Sequence, residues 1–400
     1  MKIAVIGVGA IGAQVLWQLS QRPGVEAHGF ESGYIGHPFA GAGGEGRLYR
    51  NFELTTEAYM PIVRAASAAW AELEQASGTE LIQRQGVLLI GDEGDAQLQH
   101  AARMATEWEL PYEQLEGDAL RTRFPQFAFH EGQIGLVDTS AGVISPEKSI
   151  MTAVTEAVQR GATVHEFAPI ASIREASEGV EVTRASGEVE AFDRVVVACG
   201  GWTTKLVPEL RDWIVTRRLT SAWFIGRDDG YLDGLPPFMQ VAPGYCYGIP
   251  TEGGRSVKLG LGFNDHLPTG DPDTLPRHLE HDAAHEQRDK FAWVLRDLLP
   301  GLAPNPVRMQ TYVESYTRSM HEYLDLAPGH SNTVVLGGFS GHGFKIAPAI
   351  GQIGADLAVS GESALDLEFL KSAQPVFEIT DAATGATTRN SVVESAGRGN

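Results

Sequence analysis

Near the amino terminus, three glycines and one acid have the spacing of a phosphate cradle. Gly7, Gly9 and Gly12 lie in the run Gly7-Val8-Gly9-Ala10-Ile11-Gly12, directly after the apolar stretch Lys2 to Ile6. Gly7 permits a tight turn, Gly9 lets a pyrophosphate touch the backbone, and Gly12 lets the next helix press on a sheet. That helix is read from Ile11, Val15, Leu16 and Leu19, which recur at helical spacing until Pro23-Gly24 stops it. Its amino end, at Ala10 and Ile11, offers N–H groups and a positive dipole end to phosphates. A second apolar run, Val25 to Phe30, ends in Glu31, which can accept hydrogen bonds from both hydroxyls of an adenosine ribose and would repel a 2′-phosphate. Strand, glycine turn, helix, strand and acid together predict a dinucleotide site. They leave NAD and FAD both open.

A second set of chemically capable side chains is scattered along the chain. Lys258 interrupts the apolar run Val257-Lys258-Leu259-Gly260. Alternation puts it on the face of Ser256 and Gly260, opposite Val257 and Leu259, and alternation alone makes that a solvated face. Arg50 closes Arg47-Leu48-Tyr49-Arg50, just after a glycine-rich loop that includes Gly43 and Gly44. Lys345 ends a late glycine-rich loop, Gly337-Gly338-Phe339-Ser340-Gly341-His342-Gly343-Phe344-Lys345. A guanidinium fork suits a carboxylate bidentately and a lysine adds a point charge. His342, between two glycines, has room to approach a ring closely.

The elements that must position these residues follow a repeating order. A helix is predicted over 58–76, a strand over 85–91, a second helix over 146–160 and a strand over 163–167. The segment from 92 to 140 is mixed and acidic. Turns at Glu178-Gly179 and Ser186-Gly187 divide 170–198 into an antiparallel meander. Its last strand leads to Val197-Ala198-Cys199-Gly200-Gly201-Trp202. Residues 216–261 alternate between strand patterns and turns, which predicts an antiparallel sheet. A helix over 283–299, a strand over 333–336 and a helix with Pro348 in its first turn running to about Ser360 follow. Beyond Gln374 periodicity is lost and a tail is expected.

Composition bounds the remaining possibilities. Four hundred residues favour two domains. A formal net charge of −20 argues against nucleic acid and anionic membrane surfaces as partners. No apolar run is long enough to span a bilayer, and a strand starting at residue 2 leaves no room for a signal peptide. Cys199 and Cys246 lie in apolar strand-like runs, so unpaired thiols and a cytoplasmic location are expected. No metal site is expected.

The whole order resembles the FAD-dependent amine oxidases of the monomeric sarcosine oxidase and N-methyltryptophan oxidase type, over everything up to about residue 372. The motifs that carry the resemblance are the first glycine turn with Glu31, Arg47-Leu48-Tyr49-Arg50, Gln85-Gly86-Val87-Leu88, Ser140-Ala141-Gly142-Val143, Val197 to Trp202, Val257 to Gly260, and Phe339 to Lys345. The resemblance implies an α/β chain (α+β overall), with a Rossmann-type FAD-binding domain interleaved with a smaller antiparallel-sheet substrate domain. The expected division is 1–85, 141–215 and 326–372 for FAD, 86–140 and 216–325 for substrate, and 373–400 as tail. It implies oxidation of a secondary amine or amino acid carrying a carboxylate, with hydride passing to FAD and oxygen leaving as hydrogen peroxide, in a monomer. A flavin dehydrogenase that uses another electron carrier is the alternative.

Residue by residue, Lys258 matches the family's oxygen-activating lysine. Arg50 and Lys345 match the pair that holds the substrate carboxylate, and Tyr247 and Tyr316 match active-site tyrosines. His342 matches a histidine beside the flavin, with no proton-transfer role assigned. FAD contacts are implied at Gly7, Gly9, Ala10, Ile11, Gly12, Glu31, Ser32, Gly43, Gly44, Arg47, Leu48, Cys199, Gly200, Trp202, Gly338, Phe339, Gly341, His342, Gly343 and Lys345, with backbone N–H groups of 338–343 offered to the ring. Two departures stand out. Where prominent members carry the cysteine that binds FAD covalently, a gapped alignment offers Glu314 and an ungapped one Tyr312, so FAD is expected to be non-covalent. Where the family has a histidine four residues after its lysine, this chain has Gly262, which opens the pocket or removes a substrate contact.

Overall fold

A run of residues apolar on both faces can only be satisfied between two layers, and Lys2–Ile6 is such a run: Ile3, Ala4 and Val5 are wholly buried. In the computed structural model, which describes residues 1–275 and 279–374 and the backbone of strands Glu378–Thr380 and Thr387–Arg389, this strand lies inside a six-stranded sheet. The order is Tyr323–Leu326, Thr333–Gly337, Arg194–Val197, Lys2–Ile6, Glu26–Phe30 and Thr163–His165. All neighbours are parallel except the first pair. The turns after Ile6, Val197 and Gly337 therefore leave from one carboxyl edge, where open parallel sheets bind ligands.

Helices Ala10–Ser20 and Gly343–Ser360 pack against each other on this sheet, and a Cβ on Gly351 would lie 2.6 Å from the Gln14 Cβ. The other face is covered by the predicted meander, Ile170–Glu175, Val180–Arg184 and Val189–Phe192. Val180, Val182 and Phe192 pack there on Ala4, Ile6, Phe30 and Val195. These elements belong to one compact unit, Met1–His37, Ile150–Thr216 and the chain from Glu314.

The second unit comprises Pro38–Ser149 and Arg217–Val313. Segments 38–85 and 141–149, expected with the nucleotide-binding domain, pack in this unit. Its large sheet runs Leu267–Pro268, Ile214–Phe224, Val257–Leu261, Cys246–Pro250, Phe238–Gln240, Val87–Asp92, Gln133–Asp138 and Tyr112–Glu116, with Arg308–Thr317 also beside Ile214–Phe224. From Leu267–Pro268 to Tyr112–Glu116 its neighbours pair antiparallel as expected, except that Phe238–Gln240 runs parallel to Val87–Asp92. Phe224, Val257, Leu259, Phe291 and Val294 share one apolar core. Leu89, Leu136 and Met239 pack with Leu98 and Ala101 of helix Ala96–Glu107, an element of the stretch that the sequence left unread.

Two predicted helices differ from expectation. The one over 283–299 is split into His281–Asp289 and a wide turn, Val294–Leu298, closed by the Leu299 N–H on the Val294 carbonyl. The last long helix begins at Gly343, so Pro348 lies inside it and not in its first turn. A proline there costs one intrahelical bond, and the glycine loop runs straight into the helix. The expected tail lies mostly outside the described residues; its two short strands pair antiparallel. Among the described residues no helix is long and apolar enough to cross a membrane.

Gly12 is the tightest point of the first turn. A Cβ there would stand 1.8 Å from the Gly7 carbonyl oxygen, which cannot move without opening the turn, since Gly7 itself has φ +87°. On an open helix surface Gly→Ala stabilises by about 1 kcal/mol. Gly12→Ala is expected instead to destabilise by roughly 1–3 kcal/mol, read as a lower urea midpoint at unchanged slope.

Candidate functional site

The first unit gathers the glycine-turn residues at the carboxyl edge. Gly9 caps helix Ala10–Ser20 without any side-chain cap, and a Cβ on Gly9 would meet nothing within 4 Å. An uncapped helix start beside open space fits a pyrophosphate. Glu31 is buried, and its Oε2 accepts the Val8 N–H at 2.9 Å. Its Oε1 accepts from the Ser32 hydroxyl at 3.0 Å and the Gly33 N–H at 3.1 Å, with the His37 Nε2 at 3.3 Å. Burial works against ionisation of this acid, but His37, Gly33 and Val8 outweigh it and hold its carboxyl at about 2. A carboxylate has about four lone-pair positions and these partners fill them, so a ribose hydroxyl at Glu31 would take the place of a side-chain partner, Ser32 or His37. Cys199 places its Sγ 3.2 Å from the Ile6 carbonyl, and burial pushes its thiol up to about 12. Gly200 and Trp202 form the single turn that follows.

The late glycine loop is laced to strand Arg308–Thr317. The Gly338 N–H goes to the Ser315 hydroxyl at 3.2 Å and the Ser340 N–H to the Ser315 carbonyl at 3.0 Å. The Gly341 N–H goes to Glu314 Oε1 at 2.9 Å and the His342 N–H to the Phe339 carbonyl at 3.0 Å. The Gly338, Gly341 and His342 N–H groups, expected to face a flavin, are thus held by protein acceptors. What the loop presents is the first turn of the helix that starts at Gly343 and carries buried Lys345. Tyr316 is buried and bridges Phe339. His342 Nε2 lies 2.9 Å from Glu322 Oε1, a carboxylate with no exposed side chain. Glu322 carries no sequence signal; only long-range pairing puts it there.

The second unit holds Lys258, and its ammonium is buried, not solvated. Nζ donates to the Gly44 carbonyl at 2.8 Å and the Gly46 carbonyl at 2.5 Å. Arg47 clamps the same loop through the Gly41 and Gly43 carbonyls at 2.7 Å and the Gly46 carbonyl at 3.0 Å. Burial, and next the charge of Arg47, hold Lys258 well below the usual lysine range. Leu48 packs into the core with Phe52 and Met239. Arg50 donates to the Phe52 carbonyl. Tyr247 pairs with Gly260 in register, two positions from the Ile249–Lys258 pair, so Tyr247 and Lys258 share a face. A Cβ on Gly260 would lie 2.2 Å from the Tyr247 ring.

Several residues on this face were missed by the sequence reading. Glu45 pairs with Arg308 and accepts the Trp223 indole N–H at 3.2 Å, while Arg308 stacks on Trp223 at 4.3 Å. Glu147 Oε1 accepts the Gly44 N–H at 3.2 Å. Tyr312 buries a hydroxyl with no hydrogen-bond partner, against Gly44. The space freed at Gly262 is covered by the Tyr245 ring, 3.1 Å from where a Cβ would stand. Arg50, Tyr247 and Lys258 thus belong to the second unit, and Tyr316, His342 and Lys345 to the first.

With an uncapped glycine turn, a buried acid and a buried lysine in place, the sequence match decides the family: residues 2–357 match the FAD dependent oxidoreductase (DAO) family. The chain belongs to it. This FAD-dependent oxidoreductase is 30% identical over 382 residues to the N-methyl-L-tryptophan oxidase of Salmonella heidelberg (strain SL476), covering 91% of this chain and 96% of that one. It is 28% identical over 382 residues to the monomeric sarcosine oxidase of Bacillus sp. (strain B-0618), with 94% and 96% covered. In fold it is similar to NikD, an unusual amino acid oxidase essential for nikkomycin biosynthesis, at TM-score 0.78 and 24% identity over 92% of this chain and 96% of that one. The glycine oxidase of Geobacillus kaustophilus superposes at TM-score 0.71 and 20% identity over 91% and 96%.

Glu31 gives this site a pH signature. Its carboxyl is lowered from 4.5 to about 2, so its contribution is fully present above pH 4.5 and is lost as pH falls through about 2. Glu31→Gln is expected to cost about 3 kcal/mol at pH 7, with the difference from the native protein closing over that acid range in denaturant titrations.

Proposed function

We propose that this protein is an oxidase of an N-methyl or other α-amino acid, giving an imine and hydrogen peroxide. The observation that carries the reading is Lys258: a buried lysine side chain fixed by two backbone carbonyls in the unit expected to bind substrate, in a chain whose family uses FAD. The flavin, when bound, supplies the two-electron acceptor. Glu31, Gly7, Gly9 and Gly12 would hold its adenosine and pyrophosphate end. Arg50 and Lys345 are assigned to the substrate carboxylate, as fork and point charge, and orient the C–H bond that is broken. The amine gives up a hydride and its N–H proton to become an imine, which water hydrolyses. Oxygen takes the two electrons and two protons as hydrogen peroxide. Negative charge develops on oxygen during that step, and the Lys258 ammonium stabilises it at no reorganisation cost, because the Gly44 and Gly46 carbonyls have already fixed it.

Non-covalent FAD is part of this reading. Neither Glu314 nor Tyr312 is a cysteine, and Glu314 is spent on the Gly341 N–H. The cysteines present are unpaired and lie elsewhere, Cys199 ahead of the turn Gly200–Trp202 and Cys246 in strand Cys246–Pro250, which suits a reducing cytoplasm. A monomer is the state assigned.

Anaerobic mixing with a panel of N-methyl, D- and L-amino acids should bleach the flavin absorbance with at least one member. Air should then restore it with one equivalent of peroxide, and acid precipitation should leave the flavin in the supernatant. Flavin that no amine bleaches would overturn the reading, and flavin retained in the pellet would overturn non-covalent attachment.

A further inference from the structure

Helix His281–Asp289 carries two histidines one turn apart, far in sequence from every residue assigned above. His281 and His285 are exposed, and their Nε2 atoms stand 3.2 Å apart with the ring centroids at 4.5 Å. Positions i and i+4 meet on one helix face, so the backbone itself sets this spacing. Two nitrogens bound to one ion at about 2.0–2.1 Å lie about 3.0 Å apart at a right angle and about 3.4 Å apart at the tetrahedral angle. The observed separation falls between these limits.

A second observation orients the pair. His281 Nδ1 lies 3.1 Å from Asp282 Oδ1. A proton on Nδ1 donated to that carboxylate leaves Nε2 as the bare, basic nitrogen, and it points at His285. An imidazole whose far nitrogen is held by a carboxylate is the arrangement that fixes tautomer and ring direction in metal sites. Asp282 is the carboxylate beside the pair, while Glu286 pairs with Lys290 and Asp289 with Arg288, in a protein of net charge −20. Both favour a cation.

The geometry points to a divalent transition-metal site made by His281 and His285 and oriented by Asp282. It takes a borderline ion of the Zn²⁺, Ni²⁺ or Cu²⁺ class, because imidazole nitrogens select these over Mg²⁺ and Ca²⁺. Among the described residues no group of three or more metal-ligating side chains exists, so water completes the shell and the site is open. Binding clips one turn of a nine-residue helix. In the absence of metal the two nitrogens stand at hydrogen-bond distance, and metal binding displaces that bond.

The test uses untagged, chelator-treated holoprotein titrated with Zn²⁺ in calorimetry at pH 7.5. The native protein should bind one Zn²⁺ more than His281→Ala or His285→Ala. Asp282→Asn should keep that stoichiometry with affinity weaker by on the order of tenfold. Excess Mg²⁺ should not compete. All three positions are exposed, so folding is not at risk, and an unchanged flavin spectrum verifies it in each variant. Equal Zn²⁺ stoichiometry in the native protein and both histidine variants would overturn the site and leave the pair as a hydrogen bond. Neither result bears on amine oxidation.

Discussion

A buried ammonium must find acceptors, and the second unit is arranged around that requirement. Lys258 sits in the middle of a strand whose neighbours Val257 and Leu259 point into an apolar core. Its own side chain leaves on the opposite face and is covered by the loop Gly41 to Arg47. An uncompensated charge at such depth would cost several kcal/mol. The loop answers with the Gly44 and Gly46 carbonyls, and the same backbone turns further carbonyls onto Arg47. Gly44, at φ +102° with the Tyr312 hydroxyl against it, is a position no side chain could share. Glu45 and Glu147 then balance the two cations from outside.

The first unit solves the converse problem, a buried anion. Glu31 ends one parallel strand and is met by backbone N–H groups from the turn after its neighbour and from its own continuation. Because the strands run parallel, the turns after Ile6, Val197 and Gly337 share an edge without any further device. Glu314, Ser315 and Glu322 hold the last of these turns in shape. Preorganised donors and acceptors on both units are what a cofactor-dependent active site asks of its protein.

Local pattern exposed much of this. The glycine turn, its flanking strands, the meander and the strand around Lys258 follow from spacing alone. What spacing could not show is depth. Alternation gives Lys258 a face, but only the folded loop over that face decides that it is dry. Glu322, Tyr312 and the Glu45–Trp223–Arg308 cluster depend on pairing between segments far apart in sequence, which leaves no local trace. In the late loop, spacing shows the glycines but not that Ser315 and Glu314 accept the Gly338 and Gly341 N–H groups. Pro348 is a common first-turn residue, which puts the expected start of the last helix there, whereas Gly343 to Ala347 are already helical.

The account stands on Lys258 as the charge that meets oxygen. Lys258→Met should preserve the fold, since the Gly44 carbonyl keeps the Gly46 N–H and the Gly46 carbonyl keeps Arg47, and apolar replacement of a buried charge is well tolerated. The deciding measurement is stopped-flow reoxidation of photochemically reduced flavin by oxygen, native protein against Lys258→Met. A second-order rate lower by about 10²–10³, with flavin still bound, is the expected result. An unchanged rate would contradict the account.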